Sequence, residues 1–294
     1  MTSDRDATVT VSHGRKLAFA EWGEPDGKPV FFFHGTPLSR VWCPDDAATK
    51  AAGVRLIAID RPGIGGSDVL EARTYGDWPA DVVAVADALG IGRFAVIGLS
   101  AGGPYAAACA ALIPARLTGV AIVSSRGLAQ YNVAERPAAY AELDADDRAN
   151  YDLAQHDPFA AAEAAASEVE DWVMGPQERP ESFIDPAQWP AGDRWFFADQ
   201  VRTSDFFASV RECFRQGIQG FRWEMIDAWL PWGFRLDTIE MPVQIWHGAQ
   251  DHIVTAEHVD FIVQRIPQCV LVTWPDVGHM GIAKHWDEIL AALN

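Results

Sequence analysis

Few cysteines interrupt this chain, and none is placed for a partner. Cys43, Cys109, Cys213 and Cys269 are scattered, with no Cys-x-x-Cys pair and no Cys/His set at metal-ligand spacing. That pattern argues against a disulfide scaffold and a zinc site, and implies free, mostly buried thiols in a reducing compartment. Basic residues are also scarce: 23 Lys and Arg stand against 41 Asp and Glu, a formal net charge of −18. The charge therefore argues against nucleic acid, whose phosphates demand a basic surface, and equally against an anionic membrane surface. No apolar run approaches the length of a membrane span, and Met1 to Asp6 shows no basic segment leading into an apolar one. The expectation is a cytoplasmic enzyme. A phosphate-cradling lysine loop is missing too. Gly63-Ile64-Gly65-Gly66 lacks the third glycine and the helix start that a dinucleotide loop needs. No cofactor and no metal is expected.

What the chain does have is apolar substance. Nearly half of its 294 residues are hydrophobic, enough for one large α/β domain with an insertion. Thr8 to Val11 and Leu17 to Trp22 flank a turn at His13-Gly14 and read as a β-hairpin. Pro29 to Phe33, Val54 to Ile59, Phe94 to Leu99 and Gly119 to Ser125 are short continuous apolar runs bounded by turn residues. Such runs suit strands buried on both faces of a parallel sheet. Helix-like stretches separate them, at Asp45 to Ala52, Tyr75 to Leu89 and Gly103 to Leu112. Strand, loop, helix, strand in this rhythm builds a parallel sheet from crossover units, with ligands bound at the carboxyl ends of the strands.

The rhythm breaks from about Arg126 to Arg235. Helical stretches such as Asp157 to Met174 and Asp199 to Arg215 appear there, with six of the twelve tryptophans: Trp172, Trp189, Trp195, Trp223, Trp229 and Trp232. The division expected is a core of residues 1–125 and 236–294, and a helical cap over the sheet edge at 126–235. The pattern returns with Val243 to Trp246 and Cys269 to Trp274, and a terminal helix follows from about Ile282 to Leu293.

Chemistry concentrates at the strand ends. Gly98-Leu99-Ser100-Ala101-Gly102 stands between a strand and a helix, the context of a nucleophile elbow, in which a strained turn lifts a serine hydroxyl above the sheet. A serine hydroxyl needs a base, and the base needs an orienting group. His279 is the best placed histidine, on the loop after the last strand beside Gly278. Asp251, a few residues past the preceding strand, is the first choice of acid, with Asp276 as its rival. The order Ser100, Asp251, His279 is the chain order this kind of site uses. Backbone N–H groups for an oxyanion are expected from Ala101 and, because Pro37 has none, from Thr36 in the His34-Gly35-Thr36-Pro37 loop. Arg126 follows the sixth strand, where it could meet a substrate carboxylate or phenolate, or pair with a cap carboxylate.

Together these residues resemble the α/β-hydrolase superfamily: His34-Gly35, Asp60-Arg61-Pro62-Gly63-x-Gly65-x-Ser67-Asp68, the elbow, the Asp251 loop and Gly278-His279. The resemblance covers most of the chain. It implies an eight-stranded, mostly parallel sheet flanked by helices, with a helical cap after the sixth strand. It also implies catalytic roles for Ser100, Asp251 and His279 and oxyanion roles for the Thr36 and Ala101 amides. Serine at position 100 argues against the aspartate-nucleophile members, dehalogenases and epoxide hydrolases. Leu99 and Ala101 depart from the tryptophan that proline iminopeptidases usually carry beside the nucleophile. The expected activity is hydrolysis of a small ester or lactone with an apolar or aromatic part. A C–C bond hydrolase, an iminopeptidase-like enzyme, a cofactor-free lyase or cyclase and a ligand receptor on the same scaffold are the alternatives. Oligomeric state stays open, a homodimer included.

Overall fold

The computed structural model describes residues 6–125, 139–142, 145–174, 189–227 and 230–293. Eight strands form one sheet: β1 (Asp6–Thr10), β2 (Lys16–Gly23), β3 (Lys28–Phe33), β4 (Val54–Ile59), β5 (Phe94–Leu99), β6 (Leu117–Val123), β7 (Val243–Gly248) and β8 (Cys269–Trp274). Their order across the sheet is β1-β2-β4-β3-β5-β6-β7-β8. β1 and β2 pair antiparallel, as does β2 with β4, and every later pairing is parallel. The hairpin therefore hangs on the side of a parallel sheet whose carboxyl ends share one edge.

The continuous apolar runs are explained by two cores, one on each face. In β3, Phe31 and Phe33 point into one core while Val30 and Phe32 point into the other. β4 divides Ile57 and Ile59 from Leu56 and Ala58 in the same way, and β5 divides Phe94 and Val96 from Ala95, Ile97 and Leu99. A period of two with both phases buried leaves no polar position, so alternation vanishes from the sequence. Each of the larger of these side chains, the valines, leucines, isoleucines and phenylalanines, contributes about 1.5–3 kcal/mol when removed from water.

Helices α1 (Asp46–Ala51), α2 (Trp78–Ala88) and α3 (Gly103–Leu112) fall where the sequence places them. α1 is started by Asp45, whose carboxylate accepts from the Ala48 N–H at 2.8 Å. Between β6 and β7 lie α4 (Ala139–Glu142), α5 (Ala145–His156), α6 (Pro158–Met174), α7 (Arg194–Phe197), α8 (Gln200–Cys213) and α9 (Gln219–Ile226). Trp223 and Ile226 of α9 pack on Ala154, Ala161 and Ala162 as a small third core. α10 (Ala256–Arg265) crosses between β7 and β8, and α11 (Trp286–Leu293) closes the chain. β8 is an edge strand, with Val270 and Leu271 exposed. No helix among the described residues is long and apolar enough to cross a membrane.

Gly63-Ile64-Gly65-Gly66 is a brace for the hairpin. The Ser67 hydroxyl donates to the Asp60 carbonyl and accepts from the Ala18 N–H, and Asp68 accepts from the Lys16 N–H. A Cβ at Gly65 would lie 2.1 Å from the Asp60 carboxylate, which explains that glycine without any nucleotide.

Candidate active site

Ser100 follows β5 directly and opens a short 3-10 turn that runs into α3. Its φ is +51°, a left-handed conformation that a residue with a Cβ adopts only under constraint. The constraint is the packing of glycines around it. A Cβ on Gly98 would lie 2.4 Å from the Gly102 carbonyl oxygen, and one on Gly102 2.1 Å from that of Phe33. Strand, turn and helix approach so closely that the serine takes the strain at the carboxyl end of β5.

Asp251 and His279 meet at that edge. His279 Nδ1 lies 2.9 Å from Asp251 Oδ2, and both residues are buried. The other oxygen, Asp251 Oδ1, accepts from the Ile253 and Val254 N–H groups at 2.8 and 2.9 Å. Burial alone would push this carboxyl up. The His279 hydrogen bond and charge, with the two amides, outweigh it and hold the group below the usual range. An ionised acceptor at Oδ2 fixes the Nδ1–H tautomer, so Nε2 is the nitrogen with a lone pair to offer. No direct Ser100–His279 hydrogen bond is formed among the described residues. Asp276 takes no part: it is exposed and pairs with Lys284 Nζ at 2.5 Å. His247, at the end of β7, brings its Nδ1 to 4.0 Å from the same Asp251 oxygen, beyond hydrogen-bond reach.

Across the edge, the loop after β3 packs on Ser100: a Cβ at Gly35 would lie 3.3 Å from the Ser100 Cβ. The Thr36 N–H has no acceptor among the described residues. Ala101 is the middle residue of the elbow turn, directly after Ser100, and α3 leads away from it. Arg126 lies outside the described residues. No group of His, Cys, Asp or Glu that could hold a metal ion occurs among the described residues.

Two acids of the β6–β7 segment reach this edge, and neither was foreseen. Asp193, fully buried, accepts from the His279 N–H at 2.9 Å and from the Met280 N–H at 2.8 Å, one with each oxygen. Gly278 is required beneath it, since a Cβ there would lie 2.4 Å from the Asp193 carboxylate. Glu224, on α9, is joined to Arg61 and Thr36. For Asp193 the hint in the sequence is Gly278, which marks a close approach without saying what approaches; the glycine before Thr36 answers to Ser100, so Glu224 has no such hint.

His34, wholly buried, donates from Nδ1 to the Gly35 carbonyl at 2.8 Å. Burial, then the Arg61 charge, depress it from 6.5 to about 3, so it is neutral in the folded protein. A histidine depressed in this way contributes stability that is complete above pH 6.5 and is lost as the pH falls toward 3. The loss amounts to at most about 1.4 kcal/mol for each pH unit. Between pH 6.5 and about 4, the melting temperature of the wild type should fall more steeply than that of His34→Asn. Parallel melting curves would show that His34 does not titrate there.

A strained serine above the edge of a parallel sheet, with a histidine–aspartate pair on the last two strand loops, defines a hydrolase architecture. The chain belongs to the alpha/beta hydrolase fold family, whose model matches residues 28–285. It is 30% identical over 287 residues to a non-heme chloroperoxidase of Streptomyces lividans, covering 95% of this chain and 94% of that protein. Over 123 residues it is 33% identical to a proline iminopeptidase of Neisseria gonorrhoeae, covering 39% of this chain and 38% of that one. Over 97 residues it is 34% identical to a bifunctional esterase/perhydrolase of Acinetobacter calcoaceticus, covering 32% of this chain and 35% of that one.

Proposed function

We propose that the protein is a serine hydrolase that cleaves a small carboxylic ester or lactone through an acyl-enzyme. The observation that carries this reading is the buried 2.9 Å contact between His279 Nδ1 and Asp251 Oδ2 at the edge where Ser100 is strained. In this mechanism His279 Nε2 takes the hydroxyl proton of Ser100 as Oγ attacks the carbonyl carbon. The charge that develops on the carbonyl oxygen is met by the Thr36 and Ala101 N–H groups, fixed dipoles that need no reorganisation. Nε2–H then protonates the leaving alcohol as the C–O bond breaks. A water, deprotonated by the same nitrogen, attacks the acyl carbon and releases the acid.

Arg126 would contribute to recognition of an acidic group, and the aromatic residues of the β6–β7 segment favour an apolar or aromatic substrate. The similarity to an esterase/perhydrolase supports a second outcome at the same acyl-enzyme: hydrogen peroxide in place of water would release a peracid. A fluorophosphonate probe should label the wild type and not Ser100→Ala. Equal labelling of both would overturn the reading. A panel of p-nitrophenyl esters, lactones and amino-acid arylamides then separates esterase, lactonase and peptidase, and a dienoate substrate reports on C–C hydrolysis.

A further inference from the structure

The β3 loop is held from a long way off in the chain. Arg61, wholly buried just after β4, sends Nη1 to the His34 carbonyl at 2.5 Å and Nη2 to Thr36 Oγ1 at 3.0 Å. The same guanidinium forks onto Glu224, Nε to Oε1 at 2.5 Å and Nη2 to Oε2 at 3.0 Å. Glu224 Oε2 accepts in turn from the Thr36 hydroxyl at 2.6 Å. Arg73 Nη2 stands 3.6 Å from Oε1, and the Glu224 side chain is only 2% exposed. The Thr36 hydroxyl thus donates to one partner and accepts from the other, which leaves it no proton to offer a substrate.

The contacts bracket one peptide unit. The carbonyl before Gly35 and the side chain after it are both fixed, so the direction of the Thr36 N–H between them is fixed as well. A buried arginine–glutamate pair is a poor way to stabilise a fold, because desolvation offsets most of its attraction. It is an effective way to hold a polar loop in one orientation, as bidentate geometry restricts direction as well as distance. The charges also suit a site where an anion develops. Arg61 and Arg73 balance Glu224 and Asp227, which Arg73 reaches at 3.3 Å, so the carboxylate adds no net repulsion. Burial would push Glu224 up, and Arg61, then Arg73, outweigh it and hold the carboxyl at about 2, ionised throughout the working range.

We propose that Glu224 is a positioning residue for the oxyanion hole: through Thr36 Oγ1 and Arg61 it fixes the direction of the Thr36 N–H. Helix α9 thereby sets the catalytic competence of a loop 188 residues before it. This rests on the acyl-enzyme reading of Ser100 given above.

The test uses Glu224→Gln, Glu224→Ala and Thr36→Val in the full chain, with a p-nitrophenyl ester as substrate and an alkyl boronic acid as the tetrahedral mimic on Ser100. Removing one oxyanion donor costs about 10²–10³-fold in kcat, and a donor left in place but free to turn should cost roughly 10–100-fold. KM should stay within about twofold, because the interaction is made only as charge develops. Boronic acid affinity should fall by the same factor as kcat. Glu224→Gln with Thr36→Val should lose no more than the worse single variant, since both break one unit. Folded variants with unchanged kcat and boronic acid affinity would overturn the proposal, as would a rise in KM alone. Should the glutamate variants fail to fold, Thr36→Val, which keeps the buried ion pair, decides by the same two readouts. Failure of the underlying reading looks different: wild type and Ser100→Ala would then take up a fluorophosphonate alike.

Discussion

Asp251→Asn should lower kcat by about ten-thousand-fold while leaving the protein folded. The carboxylate does two things that an amide cannot do together. Its Oδ2 accepts from His279 Nδ1 at 2.9 Å, and its Oδ1 accepts from the Ile253 and Val254 N–H groups. An asparagine has one acceptor oxygen. If that oxygen keeps the two amides, its NH2 faces Nδ1, and the imidazole moves its proton to Nε2 to accept there. Nε2–H cannot take a proton from Ser100. The size of the effect comes from this wrong tautomer, not from lost packing. Asp276→Asn is the matched control. That carboxylate is exposed on a salt bridge to Lys284, so kcat should stay within about twofold of wild type. Steady-state kinetics on one p-nitrophenyl ester settles the pair, and the reverse ranking would remove Asp251 from the mechanism.

Gly102→Ala should cost stability on the largest scale available to a single methyl group. The new Cβ would lie 2.1 Å from the Phe33 carbonyl oxygen, 2.8 Å from its carbon and 2.9 Å from the His34 carbonyl oxygen. All three are backbone atoms at the end of a central strand, so no side chain can rotate out of the way. Overpacking with some freedom to relax costs about 1–3 kcal/mol, and here relief requires that β3 and the elbow part. The expected result is a loss of more than about 3 kcal/mol in urea denaturation, or no folded protein. Gly92→Ala tests the argument from the other side. Nothing lies within 4 Å of its Cβ position, so its midpoint should move by no more than about 0.5 kcal/mol. A wild-type midpoint in Gly102→Ala would mean that strand and helix do not approach as described.

What could be read in the sequence, and what could not, divides along a physical line. The central strands were legible because a strand buried on both faces has to be apolar at every position, and Phe31, Phe32 and Phe33 obey that whatever their neighbours. Ser100 was legible because its strain requires small residues at fixed offsets, which leaves Gly98 and Gly102 as a local trace. The pairing of His279 with Asp251, not Asp276, was anticipated from strand-end position, since a parallel sheet gathers its carboxyl ends. Asp193 and Glu224 left no such trace. Each is one of 41 acidic residues in a chain of net charge −18, in a segment without strand periodicity. What singles them out is burial against loops that lie far away in sequence, and that depends on where the segment folds back. β8 shows the same limit in reverse. Cys269 to Trp274 has a composition like the central strands, yet β8 stands last in the order of the described strands, and Val270 and Leu271, on its opposite faces, are exposed.

The grip of Asp193 on the backbone of His279 and Met280 has a bearing on how such a chain can diversify. The segment between β6 and β7 cannot be exchanged as a free module. A transplanted lid, however well it accommodates a new substrate, arrives without the acid that gives the histidine loop its shape. The loop in turn needs a glycine at 278 to admit that acid. A designer who grafts here has to carry the aspartate and the glycine together.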